Sequence, residues 1–234
     1  MPDARQHRGP HPEDQRLFGP SALERLGPAA ADLAWLLGRG YAAESAVTFI
    51  GNRFQLDARQ RTALLRSVCA PAVAEARRAR RVEVAGQDLL VDGFNVVVTV
   101  EAALSGAVLL RGSDGLLRDL SSVHGSYRAV AETERAVDLL LRATSGAAQV
   151  LWLFDRPVSN SGRLAELLRS RGAAAELEDR VDSRLRAHRG AVATGDGPVV
   201  SAALASVDLV GAVVAGLPEA WVVPLGPQRV VEAG

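Results

Sequence analysis

Sulfur and aromatic rings are scarce in this chain, which has one cysteine, Cys69, and only 4% aromatic residues among 234. A single cysteine excludes an internal disulfide and a cysteine-rich zinc site. Its apolar surroundings predict a small buried side chain rather than a nucleophile. Because 48% of the residues are hydrophobic but few carry rings, the core must consist of Leu, Val and Ala, which is typical of helices packed on a sheet.

Neither sign of charge is in excess, since Lys+Arg and Asp+Glu number 27 each. This balance excludes a protein that coats nucleic acid through bulk charge, so any nucleic-acid surface must be local. Lysine is absent, and every fixed cation is an arginine, whose planar fork matches phosphate. The abundance of Ala, Arg and Gly is more simply explained by coding bias.

Long hydrophobic runs are missing as well. The N-terminus is polar and lacks the apolar core of a signal peptide, and no run reaches the length of a membrane span. We therefore expect a cytoplasmic protein with no membrane partner.

The character of the chain changes near residues 81–88. Upstream, helical spacing of apolar residues predicts helices over 29–38 and 57–67, with a further one over 71–80 after Pro71. Downstream, short β-rich runs alternate with helical patterns, the signature of a mostly parallel sheet. We therefore predict an all-α domain over residues 1–82 and an α/β domain over 83–234.

The α/β part has five predicted strands and three predicted amphipathic helices. The strands cover 89–91, 149–154, 173–177, 191–194 and 221–224, and the helices cover 131–144, 163–171 and 182–188. Residues 106–120 interrupt this alternation, because two apolar runs flank Gly-Ser-Asp-Gly, which predicts an inserted β-hairpin. The insert is either structural or a loop that contacts substrate.

Three aspartates, Asp92, Asp155 and Asp196, each follow a short apolar run. If these runs are parallel strands, their carboxyl ends share one edge of the sheet, where such folds place ligands. Carboxylates brought together there would raise each other's pKa and need a compensating cation. Hard oxygen ligands suit Mg²⁺ or Mn²⁺ better than zinc.

The most specific local motif is Asp-Gly-Phe-Asn at 92–95. Gly93 permits a tight turn, and Asn95 can cap the following helix or fix Asp92 by a hydrogen bond. Farther along, Asp179 and Asp182 precede a predicted helix. Either of these alone would be interpreted as a capping residue.

The order of four motifs resembles the PIN-like nuclease superfamily, particularly its NYN branch. The motifs are Asp-Gly-Phe-Asn at 92–95, Leu-Phe-Asp at 153–155, Val-Asp-Ser-Arg-Leu at 181–185 and Ala-Thr-Gly-Asp at 193–196, and the match covers roughly residues 86–210. The resemblance implies a PIN-like α/β fold and a metal-dependent, ribonuclease-like site. It assigns four residues as catalytic and metal-binding: Asp92, Asp155, Asp182 and Asp196.

The resemblance also implies hydrolysis of a phosphodiester, in which bound Mg²⁺ or Mn²⁺ would activate water and stabilise the leaving oxygen. Asn95 and Thr194 would be supporting polar groups. PIN-like nucleases add an early acidic residue, for which four residues compete, with Glu101 counted among the supporting groups: Glu101, Asp114, Asp119 and Glu134. The residues expected to contact substrate are Arg111, Arg118, Arg128 and His124.

The N-terminal part resembles the front half of an uncharacterised two-part prokaryotic family through its motifs at 8–14, 37–41, 51–54 and 59–61. This resemblance implies architecture but no activity. The arginines there could form either a basic face with stacking rings or a solvated helix face: Arg53, Arg59, Arg61 and Arg66, with Tyr41 and Phe54. If the chain forms a homodimer or binds a protein partner, we expect the N-terminal part to make the contact.

Two functions remain open, an endoribonuclease acting on RNA and a catalytically silent module that binds RNA or protein. A third interpretation, an aspartyl phosphatase, is less favoured, because Asp92 lacks a second aspartate two positions later and there is no lysine to support the intermediate. The chain also lacks the Gly-x-Ser-x-Gly elbow, a P-loop and a Gly-x-Gly-x-x-Gly signature.

Overall fold

The computed structural model describes residues 8–121 and 127–226, and its first part is helical. Five helices precede the first strand: α1 (Asp14–Phe18), α2 (Pro20–Gly38), α3 (Ala43–Arg53), α4 (Ala58–Ser67) and α5 (Pro71–Ala79). Asp57 caps α4 in a reciprocal capping box with Gln60. The predicted helical N-terminal region is confirmed, although α2 begins well before the predicted residue 29.

The second part alternates strands and helices. Its elements are β1 (Asp88–Asp92), α6 (Gly93–Leu104), β2 (Leu109–Arg111), β3 (Leu117–Asp119), α7 (Thr133–Ala143), β4 (Gln149–Asp155), α8 (Ser161–Ser170), β5 (Ala174–Glu178), α9 (Val181–Ala187), β6 (Ala191–Ala193), α10 (Gly197–Ala202), β7 (Ala205–Ser206), α11 (Leu209–Val214) and β8 (Val222–Pro224). Every predicted strand and helix of this part exists, with ends within two residues of the prediction.

The main sheet has five parallel strands in the order β5-β4-β1-β6-β7. From β1 the chain moves outward through β4 to β5, and then returns to β6 on the other side of β1. The boundary between β1 and β6 is therefore a topological switch point, and ligands bind at the carboxyl ends of such strands.

Helices cover both faces of this sheet, as the alternation along β1 shows. Leu89 and Val91 belong to the large core that includes residues of α6, α7 and α11. Leu90 points to the opposite face and packs with Val181, Leu185 and residues of α10. The predicted α/β architecture with a mostly parallel, helix-flanked sheet is thus confirmed.

One predicted strand belongs to a different sheet. β8 does not join the main sheet but pairs in parallel with β2, which pairs antiparallel with β3 in the predicted hairpin. The prediction of a single sheet was wrong here because the position beside β6 is taken by the two-residue strand β7, which is too short to leave a pattern.

The small sheet of β2, β3 and β8 packs against the N-terminal helices. Val108, Leu110, Val223 and Leu225 share one hydrophobic core with residues of α1 to α4, including the fully buried Leu26. The helical region therefore completes its core with strands from the second half of the chain. Within the described ranges, no helix is both long and apolar enough to span a membrane.

Candidate active site

Asp92 ends β1 and caps α6 at the switch point of the main sheet. Its side chain accepts hydrogen bonds from the Asn95 backbone N–H at 3.2 Å and from Thr194 Oγ1 at 2.9 Å. Gly93 is required by close packing, because a Cβ there would lie 2.2 Å from the ring of Phe154. The first motif therefore combines a cap, a contact that only glycine allows, and a tightly held carboxylate.

The loop after β6 is tied to the same strand end. Gly195 donates its backbone N–H to Asn95 Oδ1 at 2.6 Å, and Asp196 donates its backbone N–H to Thr194 Oγ1 at 3.1 Å. Asp196 caps α10 by accepting the N–H of Val199 at 2.8 Å. Asn95 and Thr194 thus join the first and last motifs, which are a hundred residues apart in sequence.

Three of the predicted carboxylates influence one another electrostatically. Burial raises the pKa of Asp92 to about 7 against the hydrogen bonds of Thr194 and Asn95, and the charges of Asp155 and Asp182 raise it further. Burial also raises the pKa of the half-buried Asp155 at the end of β4, with Asp182 adding to the effect. Asp182 itself is exposed in the first turn of α9. The sheet edge therefore gathers negative charge: among the described residues, Asp182 pairs with Arg186 at 3.4 Å, whereas no ion pair joins an arginine to Asp92 or Asp155.

The donor set fits a hydrated hard cation better than a closed cage. Within the described parts of the chain, no three His, Cys, Asp or Glu residues converge closely enough to hold a metal ion by themselves. Mg²⁺ usually keeps several waters and takes only one or two protein carboxylates together with substrate phosphates. Carboxylates that repel one another at one edge match that mode of binding.

A cleft of about 600 Å³ opens between this edge and the N-terminal helices. Asp155 and Asp196 line it, whereas Asp92 is buried and Asp182 lies outside the lining. The wall opposite the sheet comes from α4, α5 and the residues between them, including Arg66, Cys69 and Arg77. Both parts of the chain therefore form the candidate site.

Asp119, one of the four candidates for the early acidic position, lines the cleft. It ends β3, and its carboxylate accepts from Thr99 Oγ1 at 2.7 Å and from the Ser121 N–H at 2.7 Å. The period-two alternation of β3 does place Asp119 on the same side as Leu117, which packs in the core with α6 residues. The sequence alone could not choose Asp119 over the other three candidates, because its contact with Thr99 depends on the docking of the hairpin on α6.

The other three candidates for the early acidic position are engaged elsewhere. Glu101 is fully buried, nine positions or about 13 Å along α6 from Asp92. Its carboxylate accepts from Tyr127 Oη at 2.5 Å and Thr133 Oγ1 at 2.5 Å, and it pairs with Arg8. Glu134 is on α7 and pairs with Arg171 at 3.2 Å. Asp114 belongs to a separate buried charge cluster.

That cluster, called here the hairpin triad, consists of Arg77, Asp114 and Arg118. Arg118 donates Nη1 and Nη2 to the Asp114 carboxylate at 2.9 and 2.7 Å, and Arg77 donates Nη1 to it at 2.8 Å. Burial would raise the pKa of Asp114, but the hydrogen bonds and charges of the two arginines lower it to about 2. Arg118 also donates Nε to the Gly195 carbonyl at 2.8 Å, so the triad supports the loop that carries Asp196.

Of the residues expected to contact substrate, only Arg118 lines the cleft, and most of its donors are used by the triad. Arg111 is exposed on β2, lies outside the cleft and donates Nη1 to the Gly115 carbonyl at a long 3.4 Å. Arg128 is also exposed and also lies outside the cleft. His124 falls outside the described residues.

The arginines of the expected basic face are largely used within the helical region. Arg59 makes a two-pronged pair with the buried Asp14, at 2.6 and 3.0 Å. Arg61 donates to the Leu56 carbonyl at 2.9 Å, and Arg66 donates to the carbonyls of Asp119 and Ser121. These side chains stabilise the fold and its contact with the hairpin, so the donors named here are engaged within the protein.

Comparisons with known proteins match both parts of the chain. The family model described as "Domain of unknown function (DUF5616)" matches residues 81–212, more than half of the chain, and the model described as "Protein of unknown function (DUF434)" matches residues 25–80. "Uncharacterized protein MJ0935" of Methanocaldococcus jannaschii is 27% identical over 183 residues, which is 74% of this chain and 87% of that protein. No solved structure matches significantly. These matches confirm the two-part architecture, and their descriptions name no activity.

Proposed function

The chain belongs to the family described as a domain of unknown function, DUF5616, and from its site we propose that it is a metal-dependent endoribonuclease with a PIN-like fold. The observation that carries this proposal is the group of Asp92, Asp155 and Asp182, whose charges oppose one another at the switch point of a parallel sheet. A buried carboxylate whose pKa is strongly raised, as that of Asp92 is, is a candidate for a functional group when it lies at such a position. The choice of RNA rests on the resemblance to the NYN branch.

The carboxylates would hold Mg²⁺ or Mn²⁺, with Asp92, Asp155, Asp182 and Asp196 as the candidate ligands. The bound cation would supply Lewis-acid activation of water and charge stabilisation on the phosphate. Thr194 and Asn95 orient Asp92 and the loop of Asp196, so the two strand ends keep a fixed relation. With its pKa raised to about 7, Asp92 is only partly ionised at neutral pH, and a bound cation would favour its ionised form.

The cleft supports a polymeric or nucleotide-sized substrate beside these carboxylates. Its volume of about 600 Å³ is in the range of ligand pockets. Phe94 and Val158 line it together with Asn95 and Asp155, so apolar contact is available near the acidic edge. Such a mixture suits a nucleotide, which presents both a base and a phosphate.

The test is cleavage of labelled single-stranded and structured RNA with Mn²⁺ or Mg²⁺ and with an EDTA control. The wild type is compared with Asp92→Asn and Asp196→Asn, and with Asp88→Asn as a matched control. Asp88 begins the strand that Asp92 ends, and its side chain is 63% exposed at the opposite edge. We expect both site variants to lose at least about 100-fold in rate, because even outer partners of metal ligands cost about 10- to 100-fold.

A readout without turnover accompanies this assay. Mn²⁺ at about 100 times its Kd should stabilise the wild type and Asp88→Asn by about 2.7 kcal/mol, measured by thermal unfolding, and should not stabilise Asp92→Asn to that extent. Wild-type protein that neither cleaves any RNA nor gains stability from either metal would refute the proposal.

The second candidate function is a catalytically silent module that binds RNA or protein. The observation that favours it is the absence, within the described residues, of three ligands already gathered around one point. RNA binding that needs no metal and is unchanged in Asp92→Asn, without cleavage, would support this candidate.

A further inference from the structure

The side chain of Arg77 lines the cleft although it comes from α5, in the N-terminal helical region. It is 89% buried as a side chain, with 11% exposure remaining. We propose that Arg77 contacts a phosphate of the substrate in the cleft and is thus the cation that the helical region contributes to the active site. This inference rests on the proposed phosphodiesterase function and names a residue that binds its substrate.

The first argument comes from the donors of the Arg77 guanidinium group. Nε donates to Ser201 Oγ at 2.9 Å, and Nη1 donates to Asp114 Oδ2 at 2.8 Å. Among the described residues, Nη2 makes no hydrogen bond, in contrast to Nε and Nη1. An arginine this deeply buried ordinarily uses its donors, so the unused nitrogen in a cleft wall indicates a place for an acceptor from outside the protein.

The second argument comes from the charges of the hairpin triad. Asp114 is already held by both nitrogens of Arg118, a complete two-pronged pair. Arg77 is therefore a second cation on a single carboxylate, and the triad carries one positive charge in excess. Burying that excess is costly unless an anion compensates it. A phosphate bound in the cleft would provide the compensation.

The third argument is position. A Cβ on Gly197 would lie 2.8 Å from Arg77 Nη2 and 2.9 Å from Nη1, so the guanidinium group packs directly on the residue that follows Asp196. The unused donors are therefore next to the carboxylate loop, and Ser201 on α10 fixes their orientation through Nε. A phosphate between Arg77 and the carboxylates would contact a fixed cation on one side and the metal-binding edge on the other. Arginine presents the geometry that suits this contact.

The neighbouring Arg78 provides a matched control on the same helix. It donates Nη1 to the Ser113 carbonyl at 2.5 Å, so it also anchors α5 to the hairpin, but it does not line the cleft. Loss of anchoring should affect both arginines, whereas loss of a phosphate contact should affect only Arg77.

The experiment measures binding of a short labelled single-stranded RNA by fluorescence anisotropy over a range of salt concentrations, with Ca²⁺ and with EDTA, and cleavage with Mn²⁺. The variants are Arg77→Ala, Arg77→Lys and Arg78→Ala in the full chain. We expect Arg77→Ala to raise Kd about 10- to 100-fold and to lower the slope of log K against log salt by about 0.7, the value for one phosphate contact on a single strand. Arg78→Ala should leave both unchanged.

Arg77→Lys guards against misfolding of the alanine variant, because it keeps a cation beside Asp114 but lacks the second nitrogen arm. It should melt near the wild-type temperature, retain the salt slope and still bind more weakly than the wild type. Wild-type affinity and slope in both Arg77 variants, with RNA cleavage intact, would overturn the role of Arg77 and leave the proposed nuclease standing. A wild type that neither binds nor cleaves RNA would overturn both.

Discussion

Two buried aspartates in this molecule are treated in opposite ways. Asp92, at the carboxyl edge of the main sheet, is 8% exposed, and burial raises its pKa to about 7. Asp114, in the hairpin triad, is fully buried, yet its two arginines lower its pKa to about 2. Burial alone therefore does not decide the state of a carboxylate, because the charges that face it do.

The contrast separates a carboxylate whose charge is compensated within the protein from one whose charge is not. In the hairpin triad, the Asp114 carboxylate accepts hydrogen bonds from both terminal nitrogens of Arg118 and from Nη1 of Arg77. Its two oxygens are therefore satisfied within the protein. At the sheet edge, Asp92 meets a hydroxyl and an amide, and its charged neighbours are other aspartates. A buried carboxylate that lacks an opposite charge and has a raised pKa is a candidate for a functional group, which is consistent with the proposed cation site at Asp92.

The strongest test of this contrast is removal of the charge from the triad. Asp114→Asn leaves two arginines facing a neutral amide, and breaking a buried ion cluster from one side costs about 3 to 5 kcal/mol. Urea unfolding at neutral pH should show that loss in the free energy of unfolding, while Asp88→Asn, at an exposed site, stays within about 0.5 kcal/mol of the wild type. An Asp114→Asn protein as stable as the wild type would show that the triad is not a structural cluster.

The same substitution at Asp92 should increase the free energy of unfolding at high pH rather than decrease it. The pKa of Asp92 is raised in the folded state, so its contribution is most favourable below the unfolded value near 4, is lost as pH rises from about 4 to about 7, and is constant above that. Each unit of pKa difference corresponds to about 1.4 kcal/mol. At pH 8 without divalent metal, Asp92→Asn should be more stable than the wild type.

At pH 4, this advantage should disappear, which distinguishes relief of a buried charge from better packing. The measurement is the free energy of unfolding from pH 4 to pH 8 for both proteins. Equal stability at both ends would mean that the pKa of Asp92 is not raised.

A smaller effect is expected from Thr194→Val, which removes the hydroxyl that donates to Asp92. Loss of a hydrogen bond to a charged group costs about 1.5 to 3 kcal/mol, and it removes an interaction that lowers the pKa of Asp92. The pH range over which metal-free stability falls should therefore move upward. Thr99→Val, which loses its bond to Asp119, is the control, and a downward move in Thr194→Val would contradict the hydrogen-bond assignment.

The sequence predicted those features that depend on neighbours along the chain. Asp92, Asp155 and Asp196 each follow an apolar run that the hydrophobic pattern predicts to be a strand. Because the carboxyl ends of parallel strands meet at one edge of the sheet, the sequence predicted that these residues lie near the switch point. The starts of α4 and α5 followed from the cap Asp57 and from Pro71, whereas α1, α3 and the start of α2 were not predicted.

What the sequence could not supply was contact between distant segments. Arg77 reaches the cleft because α5 packs on α10, and Asp119 reaches it because the hairpin docks on α6. The pairing of β8 with β2 joins residues more than a hundred positions apart. The local sequence pattern of each of these segments does not indicate which distant segment it contacts.

The hydrophobic core shared by α1 to α4 with β2 and β8 also bears on how this chain can be divided. The two family models meet between residues 80 and 81, and the second ends at residue 212, before β8. A fragment cut at those limits would uncover Val108 and Leu110 and would lose Val223 and Leu225 altogether. The boundary between the two family models is therefore not a boundary between independently stable domains. We expect the two halves of the chain to fold and unfold as one cooperative unit.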